Sequence, residues 1–476
     1  MRVFIGILLI SSILNAQTFQ NFLNRLYSTP IENKAALVDS FLTAQSAFPI
    51  IESDSIVQFI YTGEATSVAV PGDANGWSTT IDRMSRIYGT NLWYLTKKFE
   101  PDARLDYKFV TDGSNWILDP RNKFTVMGGF GPNSELRMPA YHFPDEINYR
   151  PDIPHGTFFD TTFYSTNLQN SRQIRVYLPP NYYASRDSFG VILFHDGLEF
   201  VSLAYTNNVL DFLIWRGDIE PVIAVFVPPV NRTPEYAGNQ QEKFTQFIVQ
   251  EVMGWIDRKY HTRHDPNWRA TVGASNGGNI ALGLAISHPE VFGKVATFSS
   301  NVESNITNLL TNSSKLPLQF YLDIGTYDIA VLIPLVKNLK TLLQERSYPF
   351  EFHEWHEGHS WGNWRAHVDN VLKLFFGRPT RTRFSSRENL PTRINMTNYP
   401  NPFNVQTNFV INLPSEGRVQ LEVYDLQGKL IDQITDAYLP TGDYHFLWQP
   451  LVSSGLYLYC LKYKQQNYSG KLLFFK

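Results

Sequence analysis

Cysteine is nearly absent: Cys460 stands alone among 476 residues. One thiol cannot close an intramolecular disulfide, and it excludes the thiolate clusters of structural zinc sites. A basic excess is missing as well, with 41 Lys and Arg against 44 Asp and Glu and a formal net charge of -3. Neutralising phosphates requires such an excess, so nucleic acid is not an expected partner. Beyond the first residues no stretch approaches the roughly 18 continuous apolar positions that a membrane helix needs, and no transmembrane segment is expected in the mature protein. Charged residues are sparse at 18% while hydrophobic residues reach 43%, the reverse of a disordered chain. Folding must rest on packing, and about 150 residues per domain predicts about three domains. What abounds is aromatic: 34 Phe, 25 Tyr and 10 Trp. Large β-sheet cores account for most of such a composition, because aromatics favour strands.

The chain opens with Met1-Arg2 and an apolar run that stops near Leu14 and Asn15, with Ala16 as the small residue a signal peptidase accepts. A run of about 12 apolar residues is too short to span a bilayer, so residues 1–16 read as a signal peptide. Residues 17–54 carry apolar positions at helical spacing, Phe22, Leu26, Leu37 and Phe41 among them, interrupted by Pro30, and predict two short helices. From 55 to 138 short alternating runs such as Val57, Phe59 and Tyr61 predict a small β-sandwich. Pro139, Pro144, Pro151 and Pro154 then mark a boundary, since proline continues neither regular ladder. Across 139–377 strand candidates at 174–178, 191–194, 222–227, 271–272 and 318–323 alternate with helices near 242–259 and 278–287. Such alternation predicts an α/β domain with a mostly parallel sheet. A linker at 378–394 leads to a second sandwich at 395–476, with turns at Gln427-Gly428 and Thr441-Gly442.

Gly273-Ala274-Ser275-Asn276-Gly277 matches the Gly-x-Ser-x-Gly nucleophile elbow. The pattern alone recurs by chance, but here the apolar Ala270-Thr271-Val272 precedes it and Gly278 to Leu282 continues as a helix. A strand-to-helix turn is the context the motif requires, because only glycine leaves room on both flanks of so tight a turn. In the α/β-hydrolase architecture the acid and then the histidine follow the serine, each on a loop after a later strand. Asp328 follows the strand candidate Phe320 to Ile324, and His359 follows Phe350 to Trp355. Asp323 competes as the acid, but it falls inside the apparent strand, and Asp328 is preferred. Two N–H donors are needed for the oxyanion of acyl transfer. One is assigned to the amide of Asn276, the other to Gly197 or Leu198 in the loop after Val191 to Phe194. His195 and Asp196 are read as supporting residues.

In this scheme Ser275 attacks an ester carbonyl, His359 accepts its proton, and Asp328 orients the ring. Turnover should fall as acid protonates His359. The histidines at 353, 356 and 359 would share a helical face, but Phe350, Phe352 and Glu354 alternate as in a strand, and no HExxH motif is present. Neither a metal nor a cofactor is expected. Tyr327, Trp361 and Trp364 lie near the triad in sequence and either line an aromatic substrate pocket or belong to the core.

These residues carry a resemblance. Residues 155–377 resemble the esterase D family, which includes enterochelin esterases and carbohydrate esterase family 1. The matching stretches are Arg175 to Pro180, Asn231-Arg232-Thr233-Pro234-Glu235-Tyr236, Gly273 to Gly278 with His288 to Gly293, and Gly358-His359-Ser360-Trp361. The resemblance implies a Ser-Asp-His triad at Ser275, Asp328 and His359 and an ester substrate, either an acyl group on a plant polysaccharide or a catecholate siderophore. Asn276 stands where many members have Met. Pro71 to Trp77 and Tyr107 to Val110, with Trp116, Asp119 and Pro120, resemble carbohydrate-binding module family 48 and related early-set domains. This sandwich either touches glycan through Trp77 or Trp116 or serves as a packing domain. Asn398 to Asn404, Val423 to Gly428 and Ser454 to Tyr457 resemble the C-terminal sorting domain of type IX secretion cargo. That implies the secretion machinery as a partner and a secreted or outer-surface destination in a Gram-negative bacterium.

The reading is a secreted serine esterase with an α/β-hydrolase domain between two β-sandwiches. Its rivals are a catalytically silent surface glycan-binding protein and a serine peptidase, the latter disfavoured because no propeller-like gate precedes the hydrolase region.

Overall fold

The computed structural model describes residues 18–378, 394–439, 442–450, 452–464 and 466–475. The signal peptide expected at 1–16, nearly all of the linker, and Thr441 of one expected turn lie outside these residues. The chain forms two units, Met1–Gly377 and Arg378–Lys476.

Two helices open the first unit, α1 (Phe19–Ser28) and α2 (Ile31–Thr43). The Thr18 hydroxyl accepts from the Asn21 amide and caps α1, and Pro30 stands at the N-cap of α2. Phe22 and Phe41 stack at 3.9 Å between the helices, which bury this face against Ile60 and Leu92 of the sheet behind and Ile87 beside it. That sheet holds four antiparallel strands, and its first strand begins at Ile50, a few residues before the expected boundary.

The large sheet has eleven strands. In chain order they are β1 (Arg104–Tyr107), β2 (Thr125–Gly128), β3 (Gly131–Arg137), β4 (Thr157–Ser165), β5 (Asn170–Leu178), β6 (Gly190–His195), β7 (Val222–Val227), β8 (Arg269–Ala274), β9 (Lys294–Phe298), β10 (Gln319–Tyr327) and β11 (Phe350–Gly358). Across the sheet the order is β4-β5-β7-β6-β8-β9-β10-β11-β1-β3-β2. From β7 to β11 every pairing is parallel. Residues 191–194 of β6 and all of β7 are unbroken apolar runs because both faces are covered. Val191 and Leu193 pack with Phe244, Phe247 and Ile280 on one face, while Ile192 and Phe194 pack with Val368 and Phe375 on the other.

The front region keeps a core of its own, in which Val57, Phe59 and Trp93 of the four-stranded sheet pack with Leu105, Tyr107, Phe109 and Leu136, and β1, β2 and β3 also extend the hydrolase sheet through a parallel pairing of Arg104 with Glu357. Arg104-Leu105-Asp106-Tyr107 alternates polar and apolar residues, which reads as a strand with one wet face. All four are buried. The polar face meets Glu135 of β3 and Ser360 of the hydrolase region instead of water, and residue alternation cannot distinguish the two.

The second unit pairs a three-stranded sheet (395–399, 407–413, 442–448) with a four-stranded one (417–424, 430–439, 455–463, 466–474). Phe409, Ile411, Val419, Leu421 and Leu461 fill the space between them. Gly428 has φ 81°, which suits the expected turn at Gln427-Gly428.

Candidate active site

Strand β8 ends at Ala274, and helix α3 (Asn276–Ser287) begins one residue after Ser275. Ser275 itself has φ 56° and ψ -124°, a conformation that costs a non-glycine residue on the order of 1–3 kcal/mol. Its backbone is held on both sides: its N–H donates to Phe298 O at 2.9 Å, and its carbonyl accepts from the amides of Gly278 and Asn301. A Cβ at Gly273 would overlap the Gly277 carbonyl, and one at Gly277 would come within 2.9 Å of the Asp196 carboxylate. Gly273 is therefore required by backbone contact, and Gly277 leaves room for the Asp196 side chain.

Parallel neighbours deliver the other groups to the same edge of the sheet. Asp328 directly follows β10 and His359 directly follows β11. His359 Nδ1 and Asp328 Oδ1 are 2.8 Å apart, with the carboxylate side chain fully buried and the imidazole 19% exposed. Asp328 Oδ1 also accepts from the Ile329 amide at 2.7 Å. Engaging Nδ1 leaves Nε2 as the ring nitrogen for proton exchange. The ring meets Trp364 edge-on at 5.0 Å, and Trp364 Nε1 donates to Ser299 Oγ at 3.1 Å, one residue past the end of β9. This contact chain ties the histidine loop to the strand beside the elbow.

Asp323, the competing acid, lies inside β10 and is fully buried. Its oxygens accept from the Ser299 amide at 3.2 Å and the Tyr321 hydroxyl at 3.3 Å. Burial pushes its carboxyl up to about 7, against the pull of nearby His367. A carboxyl raised in the folded state holds its proton while the unfolded chain has lost it, so stability falls as pH rises from about 4 to 7. Asp323→Asn should abolish that loss. Urea unfolding at pH 5 and pH 8 should show the variant gaining on the wild type at the higher pH, with an upper bound of about 3 kcal/mol.

The loop after β6 approaches the elbow from the other side. Asp196 has φ 53° and forms a two-pronged ion pair with Arg232 at 2.8 and 2.7 Å, while Arg232 also donates to the Ala274 carbonyl. Gly197 is buried, and a Cβ there would overlap the backbone of Phe226 and Val227. Leu198 is half-buried. Arg232 was not singled out for a site role from sequence, because no spacing rule joins it to an aspartate 36 residues earlier. His195 is fully buried against Thr271 Oγ1 at 2.9 Å, and burial pushes its pKa down to about 3, which keeps it neutral.

The three aromatics that the sequence assigns either to a pocket or to the core all pack against protein neighbours. Trp361 and Trp364 are 8% and 6% exposed and pack in the core beneath Phe200 and Val368. Tyr327 packs beside Phe99 and donates to Glu100 Oε2 at 2.6 Å. His353 stacks on Trp355, and His356 pairs with Asp102. Among the described residues no cluster of three or more His, Cys, Asp or Glu could hold a metal, and no helix is long and apolar enough to cross a membrane. Trp77 and Trp116 lie nearly parallel at 6.5 Å, with Trp116 45% exposed.

Comparison with known proteins agrees with this architecture. The model of the family described as "Putative esterase" matches residues 165–375, and that of the "Secretion system C-terminal sorting domain" matches 397–474. An uncharacterized protein of Bacillus subtilis, YjcH, is 24% identical over 233 residues, which are 46% of this chain and 97% of that protein. The endo-1,4-beta-xylanase/feruloyl esterase of Xylanibacter ruminicola is 24% identical over 259 residues, 52% of this chain and 35% of that one. The ferric enterobactin esterase of Salmonella typhimurium superposes with a TM-score of 0.62 at 17% identity, covering 71% of this chain and 98% of its own. The enterobactin esterase of Shigella flexneri, solved in the presence of enterobactin, gives 0.60 at 19% identity over 71% and 97%. The esterase family model thus covers the α/β-hydrolase region of this chain, and the sorting-domain model covers the sandwich that follows it in the sequence.

Proposed function

We propose that the chain is an exported serine esterase. Ser275 Oγ attacks the ester carbonyl carbon while His359 Nε2 takes its proton, and Asp328 holds Nδ1–H and stabilises the imidazolium. The amides of Asn276 and of Gly197 or Leu198 donate to the oxyanion. Collapse expels the alcohol, which receives the proton from His359, and a water activated by the same ring then releases the acid from the acyl-enzyme. The observation that carries this reading is the 2.8 Å contact of His359 with Asp328 on loops that follow strands parallel to the one bearing the strained Ser275. A fluorophosphonate probe should attach to Ser275, as read by peptide mass spectrometry. An unmodified Ser275 after full inactivation, with the label on another residue, would refute the assignment.

The substrate is proposed to be an acyl or feruloyl ester on polysaccharide or a catecholate siderophore ester. A named relative is a xylanase/feruloyl esterase, and named structural neighbours act on enterobactin. Acetylated xylan, feruloylated xylan and a catecholate triester assayed side by side would rank the three. Residues 1–16 and 395–476 are proposed to carry export and sorting. A chain lacking 395–476 should accumulate in the periplasm as active esterase, and its normal appearance outside the cell would defeat that role.

A further inference from the structure

The front region reaches the histidine and acid loops at several points, all from one short segment and the turn beside it. Glu100 Oε2 accepts from Tyr327, the residue before Asp328, at 2.6 Å. Asp102 pairs with His356 Nδ1 at 2.7 Å. Arg104 lies beside Glu357 in the sheet, and its Nη1 donates at 3.1 Å to Ser360 Oγ, the residue after His359. A Cβ at Gly358 would overlap the Asp73 carboxylate, and one at Gly362 would overlap the Arg104 guanidinium. Both glycines flanking the histidine thus exist to let front-region side chains approach.

Arg104 is wholly buried. It pairs with Asp106 and Glu135 at 2.6 Å each, and Glu135 also receives Arg137 and Arg365. Asp73 accepts from the Asp106 amide at 2.8 Å, closing the group. A buried ionic group of this kind adds little net stability over well-packed apolar side chains, whereas breaking it is costly. What it supplies is a single geometry. Ser360 connects that geometry to the site, since its Oγ also caps the helix Trp361–Phe376 at the Asn363 amide.

We propose that the front region is the positioning half of this active site, with Arg104 as the positioning residue that holds the His359 loop through Ser360, and Glu100 holding the Asp328 loop through Tyr327. Arg104 touches no reacting atom; it acts through the loop. The inference rests on the triad reading above. Small displacements of a base relative to its nucleophile cost as much as about 100-fold in rate, so release of one anchor should lower kcat rather than raise KM.

The full chain is assayed with p-nitrophenyl acetate as wild type, Arg104→Lys, Ser360→Ala, Ser360→Thr, Tyr327→Phe and Ser275→Ala, with near-ultraviolet circular dichroism to report folding. Ser360→Ala is expected to lose about tenfold in kcat with KM within about twofold, and Ser360→Thr, which keeps the hydroxyl, to recover most of it. Arg104→Lys should lose more, and Tyr327→Phe several-fold. The acidic limb of the kcat/KM profile, which reports the free enzyme's base, should move in Ser360→Ala and return in Ser360→Thr. A purely structural anchor would lower the melting temperature and leave both kcat and that limb in place. Folded Ser360→Ala and Arg104→Lys at wild-type kcat, with Ser275→Ala inactive, would overturn the positioning role alone. Wild-type turnover in Ser275→Ala would overturn the triad and this inference together. If Arg104→Lys does not fold, the Ser360 pair decides.

Discussion

Ser275→Ala should reduce ester turnover by about four orders of magnitude or more while the protein remains folded. The size of the loss follows from the role: without the hydroxyl no acyl-enzyme forms, and only oxyanion stabilisation and binding remain. Folding should survive because the elbow is held by backbone groups. The Ser275 amide, its carbonyl and the flanking glycines make the contacts, and alanine leaves them unchanged. Neighbouring hydroxyls offer no substitute, since Ser299 Oγ accepts from Trp364 and Ser300 Oγ donates to the Asn301 carbonyl, both from buried positions. Steady-state hydrolysis of p-nitrophenyl acetate, with melting temperature as the folding control, measures the effect. Retention of a tenth of the wild-type rate would remove Ser275 from the mechanism.

The two aspartates separate by an effect nearly as large. Asp328→Asn should lower kcat by about 10³- to 10⁴-fold, because an amide opposite Nδ1 favours the wrong tautomer and lacks the charge that stabilises the imidazolium. Asp323→Asn should keep at least about a third of the wild-type rate, since that carboxyl bonds Ser299 and Tyr321 while His359 pairs with Asp328. The pair of variants is informative because both side chains are buried near the same edge of the sheet. Loss confined to Asp323→Asn would transfer the role. The stability readout is independent: only Asp323→Asn should flatten the decline between about pH 4 and 7.

Much of the candidate site was legible because its chemistry is local in the chain. A glycine-flanked serine after a short apolar run needs only a strand-to-helix turn, and the order serine, aspartate, histidine follows from the way parallel strands feed successive loops to one edge. The helices interrupted at Pro30, the strands 191–194 and 222–227, and the placement of Asp323 inside a strand with Asp328 after it rest on periodicity that survives folding. The sequence leaves the roles of Tyr327, Trp361 and Trp364 open for a different reason. An aromatic ring serves a pocket wall or a core equally well, and only neighbours such as Phe200 and Glu100 decide which.

Periodicity and spacing report what a segment needs from its own backbone and from one covered face, and that information sufficed here for an α/β-hydrolase with an elbow at Ser275 and a β-sandwich after it in the chain, whose sorting role is implied by resemblance alone. They carry nothing about which distant segment provides the cover. Arg104 and Asp196 became part of the site's surroundings only when their partners, Ser360 and Arg232, arrived from 256 and 36 residues away. A charge reads the same in water as in a buried pair, so the sheet that joins the front region to the hydrolase, and the contact of Arg104 with Ser360 that comes with it, existed only once the chain had closed on itself.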